Sequence, residues 1–119
     1  LKAWIDNIVR EGKTFTRGEG RNAKRIYGLL HNKLVVLLQS SGGSGYQTGG
    51  NREALNHADK AVVAVFSELG VHKFDTATME GVCEESDETL ERNWVACERR
   101  LAEIADRIKI RWRDMNRAG

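Results

Sequence analysis

Leu34-Val35-Val36-Leu37-Leu38 runs, through Gln39, into Ser40-Ser41-Gly42-Gly43-Ser44-Gly45-Tyr46-Gln47-Thr48-Gly49-Gly50, and the fold turns on how the apolar run is read. As a helix it continues a line begun by Ile26 and Leu30. Tyr27, Leu29, Val35 and Val36 flank that line, so residues from about 22 to 39 form a central helix that is apolar over most of its circumference. The same five residues also fit a buried β-strand leading into a glycine-rich phosphate loop, and periodicity alone does not separate the two. Proline favours the helical reading: none occurs in 119 residues, where average usage supplies about six, and proline is what breaks helix interiors.

Outward from this stretch, residues 40–50 have the composition of a flexible linker. They match neither a Walker loop, since no Gly-Lys-Ser/Thr follows, nor the G-x-G-x-x-G turn. Before the run, Trp4, Ile5, Ile8 and Val9 mark one face of a short first helix, and the glycines at 18 and 20 make a turn. After it, Asn51 caps a helix over 52–69 that ends at Gly70. Asp75, with Phe74 and Met79 as a hydrophobic staple, starts a short connecting helix ending near Gly81. Ser86 opens a long last helix to about Arg117, with Leu90, Trp94, Cys97, Leu101, Ile104, Ile108, Trp112 and Met115 three or four apart.

The expected architecture is therefore all-α: an antiparallel bundle of four main helices plus the short connecting helix, in one domain over residues 1–119. The longest apolar run is far short of the ~20 residues that cross a bilayer. No signal peptide opens the chain, which points to a cytoplasmic protein without a membrane partner. The start at Leu1 rather than methionine suggests a longer parent or a processed or trimmed chain. Cys83 and Cys97 have no metal-ligand spacing and read as reduced thiols. No cofactor, metal or catalytic residue is expected.

Charge is uneven, with a balance of +5 over residues 1–40, −6 over 41–90 and +3 over 91–119. Glu84, Glu85, Asp87, Glu88 and Glu91 suit the start of the last helix, and Arg111, Arg113 and Arg117 suit its end, although the cations there crowd one another. Arg17, Arg21, Lys24 and Arg25 stand at the start of the central helix, where its dipole disfavours positive charge. That placement makes a phosphate or carboxylate site, the alternative being salt bridges or a solvated loop.

The three histidines, His31, His57 and His72, lack partners at ligand spacing. Arg25-x5-His31 and Arg52-x4-His57 resemble the loose Arg-x(4–6)-His motif of the HEPN-type helical ribonucleases, a resemblance two residues deep that implies a small four-helix ribonuclease. About one such match is expected by accident given this arginine content, and the last helix, where the motif usually lies, holds no histidine.

The functional expectation is a non-enzymatic nucleic-acid-binding bundle. Arg17, Arg21, Lys24 and Arg25 contact the phosphate backbone, and Arg111, Arg113 and Arg117 extend the surface. The alternative is an adaptor or assembly module that docks an acidic protein partner or a second copy through the last helix, with Trp112 and Met115 at the interface. The helical ribonuclease is the minor alternative.

Overall fold

The computed structural model describes residues 2–118 and is a mixed α/β structure. In chain order it has α1 (Lys2–Ile8), β1 (Phe15–Arg17), β2 (Ile26–Gly28), β3 (Leu34–Ser40), α2 (Ala58–Glu68), β4 (Lys73–Met79) and α3 (Asp87–Arg117). The all-α bundle is thereby corrected. The expected central helix is two strands and a turn, and the short connecting helix is β4.

The physical reasons are local. A helix over 22–39 would carry Gly28 in its interior, at a cost of about 1 kcal/mol relative to alanine. It would also lose the β-branched pair Val35-Val36 from the pleated surface that suits it. Leu34–Leu37 are each half-buried without alternation, the pattern of a strand flanked on both faces. In β4 the threonines at 76 and 78 and Phe74 satisfy strand geometry, and Ala77 is buried.

By internal packing, residues 1–37 with 56–75 form one compact unit and residues 38–55 with 76–119 form another. In the first, β1 and β2 pair antiparallel with Phe15 opposite Gly28 and Arg17 opposite Ile26. Its core is Phe15, Val62, Leu69 and Val71. Leu30 N donates to the Leu69 carbonyl at 2.9 Å, and Trp4 meets Phe66 with ring centroids 5.9 Å apart. α2 is capped by Leu69 and followed by Gly70, whose φ is +96°.

In the second unit, α3 begins at Ser86, whose side chain accepts from Thr89 N. Asp87 and Glu88 complement the dipole in its first turn. Ile104 is its buried residue, and Ala77 is buried in the same unit. Arg100 Nε donates to the Thr76 carbonyl at 3.0 Å. Among the described residues, no helix is long and apolar enough to cross a membrane.

β3 and β4 pair in a second two-stranded sheet, joined in sequence through the glycine loop and α2. Their last residues are side by side and run in the same direction. Gln39 Nε2 donates to Thr78 Oγ1 at 3.0 Å and Ser41 N to the Met79 carbonyl at 2.9 Å. Both strands therefore leave the sheet at one edge.

Candidate functional site

In parallel α/β sheets, ligands bind outside the carboxyl ends of the strands, where the connecting loops diverge. Here two loops emerge together, 41–50 after β3 and 80–86 after β4. Residues 41–43 present their carbonyls to the second loop: Val82 N donates to Ser41 O at 3.1 Å, Cys83 N to Gly42 O at 3.0 Å and Gly81 N to Gly43 O at 3.0 Å. The Ser41 hydroxyl also donates to Gly43 O at 2.8 Å.

The next three residues reverse polarity and present amides. Ser44 N donates to Glu84 Oε2 at 3.3 Å, Gly45 N to Glu80 Oε2 at 3.1 Å and Tyr46 N to Glu80 Oε1 at 2.9 Å. Successive backbone amides of this kind form a concavity for anions, and here two of the chain's own carboxylates take them, Glu80 two and Glu84 one. Arg52 completes the cluster. It pairs with Glu84 at 3.0 Å and lies 5.7 Å from the Tyr46 ring centroid, within cation–π range. The hydrogen bond to Glu84, and then its charge, hold the Arg52 guanidinium above its ordinary pKa.

Beside the loop, a cavity of about 250 Å³ is lined by Ser44, Gln47, Thr78, Glu80, Asn93, Ala96, Cys97 and Arg100. Cys97 is a half-buried free thiol and Cys83 an exposed one. Among the described residues, no group of three or more His, Cys, Asp or Glu is placed to hold a metal.

Gly42 is exposed, with Cys83 beside it, whereas the space a β-carbon on Gly43 would take is filled by Arg52 and Glu84, and Glu80 and Glu84 put negative charge against the amides of 44–46. The amides of 44–46, already bound to carboxylates, are not open to a phosphate.

The cations singled out in the sequence lie elsewhere. Arg17 ends β1 and pairs with Glu11 at 3.4 Å. Arg21 sits in a single 3-10 turn, Gly20–Asn22, and Lys24 and Arg25 follow it in the exposed β1–β2 connection. No α-helix starts at these residues, so no helix dipole opposes their charge. Arg111, Arg113 and Arg117 occupy the last turns of α3, with Trp112 64% and Met115 56% exposed. His31 is in an exposed turn, and His57 stands at the amino end of α2. Neither histidine shares a helix with its motif arginine. Arg52 is engaged with Glu84 instead.

Glu80, Glu84, Arg52 and the exposed Gly42 escape the sequence reading. Reading 34–38 as a helix hid them, and so did assigning Glu84 to the helix dipole. A strand followed at once by Ser-Gly-Gly is the signal that finds them.

Residues 1–103 match the family model described as flavodoxin-like fold. The chain is 35% identical over 105 residues to FMN-dependent NADH:quinone oxidoreductase 1 of Pseudomonas fluorescens, covering 88% of this chain and 49% of that enzyme. It is 33% identical over 105 residues to FMN-dependent NAD(P)H:quinone oxidoreductase 1 of Pseudomonas aeruginosa, with the same coverage of 88% and 49%. The crystal structure of azoreductase from Bacillus anthracis str. Sterne superposes with a TM-score of 0.73 at 25% identity, covering 90% of this chain and 48% of that one. The chain thus spans about half the length of the curated relatives it matches.

These relatives overturn the expectation of a non-enzymatic nucleic-acid-binding bundle, and with it the adaptor and helical-ribonuclease alternatives and the nucleic-acid or acidic-protein partners. They carry the names of oxidoreductases, and the azoreductase structure matches 90% of this chain. The family match over 1–103, the paired β3 and β4 and the loops at their carboxyl edge agree, and the chain belongs to the flavodoxin-like fold family.

Proposed function

We propose that this chain forms part of an FMN-dependent oxidoreductase that takes hydride from a reduced nicotinamide and passes electrons to a quinone or azo acceptor. The observation that carries the reading is the edge at the carboxyl ends of β3 and β4. There Ser41–Gly43 are bonded carbonyl by carbonyl to 81–83 and Gly42 is exposed, in the place where sheets of this class receive ligands. The names of the relatives supply the cofactor and the substrates.

The donor set fits the ring end of the cofactor. Gly42, exposed and without a side chain, allows close approach of a planar group, and Gln47, Thr78 and Asn93 in the adjoining cavity offer side-chain hydrogen-bonding groups to a heterocycle. The same set does not fit the phosphate, since the amides of 44–46 already hold Glu80 and Glu84. A bound flavin supplies reversible two-electron chemistry. The residues of this chain orient the ring, keep its edge dry against the loop and exclude anions from beside it. The activity is cytoplasmic in this reading, where reduced nicotinamide is available.

Titration of the isotopically labelled chain with FMN and with riboflavin tests it. Both ligands shift the amide resonances of 41–46 and 81–83, and to a similar extent, because the phosphate makes no contact here. Shifts confined to another surface, or none at millimolar flavin, overturn the reading.

A further inference from the structure

We propose that Glu80 is a positioning residue for the flavin. Its carboxylate, assisted by that of Glu84, fills the anion-binding amides of residues 44–46, which fixes the loop as a surface and closes it to phosphate. The flavin's part in this rests on the function proposed above; the filling of the amides does not.

Three consecutive amides that point to one side attract whatever anion is nearest. Left open, this concavity would compete for the phosphate of a nucleotide cofactor and draw it away from a productive pose. Glu80 removes that competition from within. Each of its oxygens takes one amide, Gly45 at 3.1 Å and Tyr46 at 2.9 Å, so a single side chain satisfies two donors with charge-assisted bonds.

Its placement is inherited from the sheet, because Glu80 directly follows Met79, the last residue of β4. It is further fixed by Asn93 of α3, whose Nδ2 donates to the Glu80 carbonyl at 3.4 Å. Glu80 is half-buried, whereas Glu84 is exposed and shares its carboxylate with Arg52. Glu80 is therefore the principal clamp and Glu84 the auxiliary one.

The test uses the labelled chain with Glu80→Ala, Glu80→Gln and, as a control on the exposed face of α3, Glu91→Gln. In Glu80→Ala, amide hydrogen exchange at Gly45 and Tyr46 accelerates about tenfold, and inorganic phosphate, silent in the parent chain, shifts these two amides saturably. Added acetate restores slow exchange, a rescue that a merely structural role does not give. Riboflavin affinity falls about tenfold in Glu80→Ala, and Glu91→Gln matches the parent throughout.

Glu80→Gln keeps the side-chain shape but opposes one amide with its own NH2, so exchange rises at one of the two positions. That variant decides the matter alone if Glu80→Ala does not fold. Unchanged exchange at both amides in the variants, or phosphate shifting them in the parent, overturns the inference. If riboflavin fails to bind the parent chain while exchange and phosphate respond as stated, the flavin reading falls and the carboxylate clamp stands.

Discussion

Gly28 lies against the backbone of Leu69 so closely that a β-carbon on it would overlap the Leu69 carbonyl group and the Gly70 nitrogen. The contact is backbone on backbone, so no side chain can swing aside to make room. Gly28→Ala is expected to destabilise the chain by about 1–3 kcal/mol, the range for overpacking a close contact. Urea unfolding checks it: the midpoint falls while the slope is retained.

That glycine also explains how far the fold is legible in the sequence. The last helix is legible because Ser86 caps it and its apolar residues repeat at three and four over many turns, a signal that only a helix produces. β3 is not, since five apolar residues satisfy a helix face and a buried strand equally. The decision then falls to Gly28 and to the Val35-Val36 pair, both weak signals against a regular-looking line of leucines. β4 is hidden by Asp75 and Phe74, which imitate a capped helix start. The candidate site fares worse, because Glu80 and Glu84 act on amides more than thirty residues away, and no local pattern encodes such a pairing.

Ile104 and Trp112 separate the two parts that a helix stripe plays. Ile104 is 3% exposed and Trp112 64%, although both fall on the same three-and-four repeat. Ile104→Ala is expected to cost about 2–4 kcal/mol through lost burial and a residual cavity. Trp112→Ala stays within about 0.5 kcal/mol of the parent. Thermal unfolding of both variants, followed by circular dichroism, gives the comparison.

The Arg52–Glu84 pair shapes the loop without stabilising the fold. Both side chains are substantially solvated, at 38% and 48% exposure, and such pairs are screened. Arg52→Ala is expected to leave Tm within about 2 °C of the parent, while the Tyr46 fluorescence and ring resonances change as the guanidinium leaves the ring. The pKa of Arg52 is raised in the folded chain. Its contribution is accordingly complete below the ordinary arginine value and is lost only as pH rises past the raised one. The Tyr46 difference between parent and variant therefore stays constant from about pH 7 to about pH 9.

Gly43 and Gly45 stand two residues apart in the loop and respond differently to the same methyl group. A β-carbon on Gly43 meets chiefly the end of the Arg52 side chain, which is flexible and can yield. Gly45 has a φ of +84°, and a β-carbon there meets Asn51 Oδ1 as well, so an L-residue must distort the turn that aims the amides at Glu80. Gly43→Ala is expected to leave stability within about 0.5 kcal/mol while pushing the Arg52 guanidinium aside onto the loop surface, so that riboflavin affinity falls. Gly45→Ala is expected to cost about 1–2 kcal/mol and to lose the slow exchange of the Gly45 and Tyr46 amides. Measuring unfolding, exchange and riboflavin binding on both variants checks the assignment. If Gly43→Ala binds riboflavin as tightly as the parent, the flat face of the loop is not where the ring rests, whatever Glu80 does behind it.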